Sequence, residues 1–119
     1  MKISDIENDV RLLLLDTEDD AYRFSPKEVF SAIRKAIVNT HSVRPESRYV
    51  NFLLVDFSFP NFSDPELMRN SELTCIEDRW REAIVYYVAY SLYQKDDPDT
   101  QNLGLAKEYF ARYSTAVMS

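Results

Sequence analysis

The fold is decided by the stretch Leu12–Glu28, LLLLDTEDDAYRFSPKE, which joins the end of one apolar helix to the start of a second. Upstream of this stretch, apolar residues recur at helical spacing, and Ser4 with Glu7 has the pattern of a capping box. These features predict a first helix from about Asp5 to Leu15. The acidic turn that follows is expected to be a solvated connection between the two helices.

The second helix begins at the end of the same stretch. Ser25, Pro26 and Glu28 supply an N-cap, a first-turn proline and the reciprocal partner of a capping box. An apolar stripe continues from Val29, and Pro45 ends the helix because the residue before a proline avoids the α conformation. We therefore expect this helix to run from Pro26 to shortly before Pro45.

The middle segment Tyr49–Phe59 is dense in β-branched and aromatic residues and predicts one β-strand. A lone strand needs a partner, which is either the segment Glu72–Ile76 or a strand on another subunit. Pro60 to Pro65 is expected to be a loop, in which Asp64 caps a short helical turn.

The C-terminal part predicts two paired helices. Thr74 and Glu77 form another capping box, which opens a helix of about twenty residues, or ~30 Å. Its central part, Ala83–Tyr93, is apolar or aromatic on nearly every side and must be covered on more than one side. The KDDPD stretch at 95–99 ends this helix, and a last helix follows as its antiparallel partner. The expected fold class is therefore mainly α, a small bundle of about four helices with a C-terminal helix hairpin and one short β segment at 49–59.

The composition fits a single helical domain over residues 1–119, because one glycine argues against an architecture with many turns. The lone Cys75 excludes an internal disulfide and a cysteine zinc site. The opening MKISDIENDV does not resemble a signal peptide, and no apolar run approaches the ~20 residues of a membrane helix. We expect a soluble protein of cytosolic origin with no membrane contact.

The charge balance argues against tight nucleic-acid binding. Twenty acidic residues against fourteen Lys and Arg give a net charge of -6 and a pI near 4.7. Phosphate contacts need clustered basic residues, whereas those of this chain are scattered. An acidic surface can still lie beside DNA when it lets the DNA pass without sticking.

A metal site is not predicted. Asp16, Glu18 and Asp20 alternate like the start of a calcium loop. The template fails, because Ala21 stands where it needs glycine and Lys27 stands where it needs a bidentate glutamate. The acidic turn is therefore expected to be solvated.

No catalytic or cofactor-binding residues are predicted either. His41 lies near the end of the second helix, where a cap or surface role is favoured over catalysis. Cys75 falls in the first turn of the predicted third helix, where Glu77 and Asp78 oppose a lowered thiol pKa. It is expected to be an unreactive small residue, and the chain is not expected to be an enzyme.

The tyrosines of the predicted third helix have three interpretations: core, ligand cage or subunit interface. Tyr87 is expected in the core. The far face of the helix consists of Val85, Tyr86, Ala89 and Tyr93. We favour an interface with another subunit there, because aromatic side chains are enriched in interface cores.

With these elements placed, the sequence resembles the head-tail connector, or adaptor, proteins of tailed bacteriophages. The resemblance is carried at the helical corner by Asp9-Val10-Arg11, Leu14, Asp16-Thr17, Arg23-Phe24-Ser25, Glu28-Val29, Ile33 and Ile37. It is carried in the C-terminal hairpin by Ala83–Tyr93, Lys95-Asp96, Asn102, Ala106 and Tyr109-Phe110. The middle segment departs from the family, since it is shorter than the β insertion of some relatives.

The resemblance implies a structural protein of the virion neck that needs no cofactor. Its subunits would gather in the host cytoplasm into a homo-oligomeric ring of about twelve copies. The ring would bind the portal protein on one side and the tail or a tail-completion protein on the other. Genomic DNA would pass through it without specific contacts, and Glu18, Asp19 and Asp20 are the candidate lumen-facing acids.

Other functions stay open at this point. The chain could be a different neck or tail-completion protein, distinguished by whether it binds the portal or the tail tube. It could also be a small helical regulatory protein that binds a host partner without forming a ring, which a mass measurement would separate. An enzyme is the third class and would need a cofactor or a composite site between subunits.

Overall fold

The computed structural model describes residues 1–18, 22–95 and 100–118, which form five α-helices and one β-hairpin. The helices are α1 (Ile3–Leu14), α2 (Pro26–Val43), α3 (Pro65–Asn70), α4 (Arg81–Lys95) and α5 (Thr100–Met118). The hairpin consists of β1 (Tyr49–Val50) and β2 (Leu53–Leu54). The predicted mainly helical fold class is confirmed. Among the described residues, no helix has both the length and the apolar character needed to cross a bilayer.

The first helix starts earlier than predicted, because Asp5 rather than Glu7 provides its N-terminal cap. The backbone N–H of Lys2 donates to Asp5 Oδ2 at 2.8 Å. Glu7 is buried, so the predicted capping box of Ser4 and Glu7 is wrong. At the other end, Leu15 takes the left-handed conformation with φ 56° and closes the helix.

The second helix matches its prediction at both ends. Glu28 N–H donates to Ser25 Oγ at 3.2 Å, and Ser25 N–H donates back to Glu28 Oε1 at 3.3 Å. Pro26 stands in the first turn, and α2 ends at Val43, before Pro45. Local capping chemistry is therefore sufficient to fix this element.

The middle segment differs from its prediction of one strand. Tyr49 pairs with Leu54 in an antiparallel hairpin, and the two residues between the strands, Asn51 and Phe52, both have positive φ, 51° and 67°. This turn reverses the chain after two residues and leaves 55–59 outside the sheet. Of the two partners considered for the strand, the segment Glu72–Ile76 is not used: β1 pairs with β2 of the same segment, and Glu72 makes an isolated bridge with Lys2.

The loop and the short helix that follow are confirmed. Residues 60–64 contain no helix or strand. Asp64 Oδ1 then accepts from the backbone N–H of Glu66 at 2.9 Å, which caps α3 as predicted.

The fourth helix starts later than the predicted Thr74. Leu73, Cys75 and Ile76 are all buried in the core, a spacing that a helix entering from solvent would not produce. A 3-10 turn, Asp78–Trp80, then leads into α4 and buries Trp80. The predicted break within 96–99 lies outside the described residues.

The core surrounds α4, which packs against α5 on one side and against α2 and α1 on others. The pairing with α5 is antiparallel: Ala83 packs with Val117, and Tyr93 lies near Tyr109. The predicted C-terminal helix hairpin is thus confirmed.

Candidate assembly surface

The acidic corner between α1 and α2 is built on a buried arginine. Arg11 Nη1 donates to Asp16 Oδ2 at 2.7 Å, and Arg11 Nε donates to Glu7 Oε2 at 3.1 Å. All three side chains are buried, and the ring of Tyr22 lies 3.5 Å from the guanidinium carbon. Arg69 Nε also donates to Glu7 Oε1 at 2.8 Å, so two guanidiniums face the two buried carboxylates.

This ion network also fixes the entry to α2. Asp16 accepts from the backbone N–H groups of Arg23 and Phe24, at 2.8 and 3.2 Å. Arg11 Nη1 donates to the Phe24 carbonyl at 3.1 Å. The prediction of a solvated turn is therefore wrong for Asp16, which is a structural anchor.

The other acids of this turn are Glu18, Asp19 and Asp20. Glu18 is exposed, whereas Asp19 and Asp20 lie outside the described residues. No group of three or more His, Cys, Asp or Glu side chains able to hold a metal occurs in the described part of the chain. That Glu18 faces the lumen of a ring stays a prediction.

The predicted partner-binding face of α4 is covered by the same subunit. Val85, Ala89 and Tyr93 are 8%, 0% and 7% exposed. The ring of Phe24 lies 6.2 Å from that of Tyr93. The interface prediction is wrong for these three residues, because the corner and α5 supply the cover that was expected from a neighbour.

Tyr86, the fourth residue of that face, is half-buried. Its ring stacks on Tyr109 of α5 at 6.4 Å between centroids, and the Arg112 guanidinium lies 5.8 Å away. Tyr87, expected in the core, is also half-buried and packs edge-on against Tyr113 at 5.1 Å. These two tyrosines thus join α4 to α5.

His41 and Cys75 meet in the structure, but their contact is structural. The Nε2–H of His41 donates to the backbone carbonyl of Cys75 at 3.0 Å, and the His41 ring packs edge-on against Phe57. Burial lowers the pKa of His41 and raises the pKa of the Cys75 thiol. A buried thiol with a raised pKa is a poor nucleophile, as expected.

The β-hairpin presents apolar side chains to solvent. Phe52 at its tip is 98% exposed. Its neighbours Tyr49, Leu53 and Leu54 are between 46% and 69% exposed. Contiguous apolar surface of this kind marks interaction sites in soluble proteins. Sequence reasoning placed a β segment here but missed its exposure, which Asn51, a residue that tolerates positive φ, could have indicated.

A cleft of about 470 Å³ opens between the first half of α2 and the loop at 59–65. Phe30, Phe59, Phe62 and Met68 provide its apolar lining, and Lys27 and Arg34 add two cations. The cleft was not predicted, because residues thirty positions apart meet only when the fold brings the loop back along α2. It is a concave, mostly apolar site whose volume lies in the range of ligand pockets.

No protein-family model, curated protein or solved structure matches this chain.

Proposed function

We propose that this chain is a structural protein of a tailed bacteriophage, a head-tail connector subunit. In this proposal, subunits form a ring below the portal and join the DNA-filled head to the tail. The proposal makes the chain a homo-oligomer that also binds the portal protein and a tail or tail-completion protein.

The exposed apolar hairpin carries this proposal. The helical core is largely covered within the subunit, since Val85, Ala89 and Tyr93 on the far face of α4 are buried. The hairpin tip nonetheless holds Phe52 and Leu53 in solvent. Apolar surface left over after a core is complete is typical of subunits that function only when assembled.

The resemblance to connector proteins supports the same proposal. Several of its corner residues have definite structural tasks: Arg11 and Asp16 form the buried pair, and Ser25 with Glu28 caps α2. In its second part, Tyr93 packs against Tyr109 and Tyr90 against Phe110, which pairs α4 with α5. The resemblance therefore rests on residues that organise the subunit, and the family in question is one of structural proteins.

The charge balance supports passage of DNA rather than its capture. A net charge of -6 repels phosphate groups, and a wall that repels them lets the duplex slide. Glu18 is exposed and available for such a wall.

The decisive experiment disrupts the gene in a phage that encodes this chain and images the particles by electron microscopy. We expect DNA-filled heads and complete tails that remain separate, and rejoining when the wild-type chain is supplied. Normal heads joined to normal tails would refute the proposal. Absent or misshapen tails beside closed necks would indicate a tail-completion protein instead.

A further inference from the structure

We propose that the hairpin of one copy inserts Phe52 into the cleft between α2 and the 59–65 loop of a second copy. This inference rests on the proposed function, which it deepens by naming the contact between neighbouring subunits.

The first argument is the backbone at Phe52. Its φ of 67° lies in the left-handed region, which disfavours a bulky side chain and favours glycine. A two-residue hairpin turn after Asn51 is one in which glycine is the usual second residue. The Phe52 side chain is 98% exposed, so the subunit itself gains almost nothing from a phenylalanine there. A strained, exposed aromatic residue indicates a task outside the subunit.

The second argument is the receiving site. The cleft is about 470 Å³ and is lined by Phe30, Phe59, Phe62 and Met68. Phe62 itself is 50% exposed, so part of this lining faces solvent. An aromatic ring that enters the cleft would cover apolar surface on both copies, which is the main driving force for association.

The third argument is position. The cleft lies along the first half of α2, from Lys27 to Arg34, whereas the hairpin follows the other end of α2, beyond Val43. At 1.5 Å per residue, Arg34 and Val43 are about 14 Å apart along the helix. A hairpin at one end and a cleft at the other give a heterologous contact, which closes into a ring when the rotation between copies permits.

Charge complementarity favours a second copy as the occupant. Lys27 beside the cleft and Asp56 just after the hairpin are both exposed. Among the described residues, neither Lys27 nor Asp56 takes part in an ion pair of the same subunit. The contact would place the carboxylate of one copy near the ammonium of the next.

The size of the contact predicts how it behaves in solution. Phe52 brings an apolar area of about 200 Å², well below the ~800 Å² that each partner contributes to a stable interface. One contact should therefore be weak, whereas closure of a ring makes the last contact intramolecular and strengthens the whole.

Sedimentation of the purified full chain over a wide concentration range tests the inference. We expect wild type to self-associate and Phe52→Gly, which suits the turn, to fold normally and associate at least tenfold more weakly. Leu15→Gly is the matched control, because Leu15 is also exposed with positive φ but lies in the corner; it should associate like wild type. Equal association of wild type and Phe52→Gly, or a wild type that is monomeric throughout, would overturn the inference.

Cross-linking tests the direction of the contact. A chain with both Leu53→Cys, which keeps Phe52 at the tip, and Ser31→Cys in the cleft should give disulfide-linked multimers on oxidation, since native Cys75 is buried. When two chains that carry one of these substitutions each are mixed and oxidised, the products should stop at dimers of the two chains. Charge exchange adds a second readout: Lys27→Asp alone should weaken association, and Asp56→Lys on the same chain should restore it. Failure of both readouts would refute the contact.

The two proposals can fail separately. If phage carrying Phe52→Gly still join heads to tails and the chain does not self-associate, the hairpin contact is wrong and the connector function stands. If loss of the gene leaves heads joined to tails, the connector function is wrong whatever the sedimentation shows.

Discussion

Helix α4 and the segment at 49–62 are the two most apolar regions of the chain, and the fold treats them in opposite ways. The far face of α4, with Ala89 and Tyr93, is buried under α5 and the acidic corner. The hairpin with Phe52 stays in solvent. Apolar density therefore says that a surface needs cover, but not whether the cover comes from the same subunit.

The largest expected loss of stability comes from replacing Arg11, which holds the acidic corner against α4. Arg11→Met would leave Asp16 buried without its counter-charge and Glu7 with Arg69 alone, and it would remove the hydrogen bond that holds the Phe24 carbonyl beside Tyr93. We expect a loss of about 3–5 kcal/mol in the free energy of unfolding, measured by urea denaturation.

Arg112→Met is the matched control, because Arg112 also pairs with a glutamate four residues earlier, but on the surface. Its effect on the free energy of unfolding should be far smaller, because a solvent-exposed i,i+4 pair contributes little. Equal losses for the two variants would mean that the corner is not the cover of α4.

The next prediction compares the two regions directly. Tyr93→Ala opens a cavity in the protein core around α4 and should lower the free energy of unfolding by about 3 kcal/mol. Phe52→Ala removes an aromatic ring of similar size from solvent and should change it by about 0.5 kcal/mol or less. Thermal unfolding of both variants checks the difference. A large loss for Phe52→Ala would show that the hairpin belongs to the core.

A smaller gain is expected at the end of α1. Leu15 has φ 56° and is 87% exposed, so its side chain contributes little to the fold. Leu15→Gly relieves the left-handed backbone and should stabilise the chain by up to about 1 kcal/mol. If Leu15→Gly were instead less stable than wild type in the same denaturation assay, the Leu15 side chain would contribute to the fold and the prediction would be wrong.

The smallest effect concerns pH. Burial lowers the pKa of His41 from its ordinary 6.5, so the unfolded chain takes up the proton first as the pH falls. The stability that neutral His41 provides is present above pH 6.5 and is lost as the pH falls through its lowered pKa. Unfolding temperatures of wild type should therefore drop more steeply below that pH than those of His41→Gln, which can still donate to the Cys75 carbonyl. Parallel profiles would count against this contribution.

Local chemistry explains what the sequence could predict. The caps of α2 and α3 rest on Ser25, Glu28 and Asp64, whose partners lie two or three residues away. The pairing of α4 with α5 follows from a short connection between two apolar helices. The caps can be predicted because their groups are neighbours in the chain, and the helix pair can be predicted because consecutive helices with a short link pack antiparallel.

The rest depends on distant contacts. Asp16 looks like one more acid in a charged turn, and only the buried Arg11 makes it an anchor. The cover of Tyr93 comes partly from Phe24, almost seventy positions earlier. The cleft needs α2 and the loop at 59–65 together. A periodic pattern cannot reveal which of several surfaces will meet.

Trp80 gives this molecule a built-in optical probe. It is the single tryptophan of the chain, it is buried, and it closes the turn that begins one residue after Glu77. Glu77 Oε2 accepts from the backbone N–H of Asn51 at the hairpin turn, and the guanidinium of Arg44, which precedes the hairpin in the chain, lies 5.9 Å from the Trp80 ring. Its fluorescence should therefore follow both unfolding of the core and capture of the hairpin without any added dye.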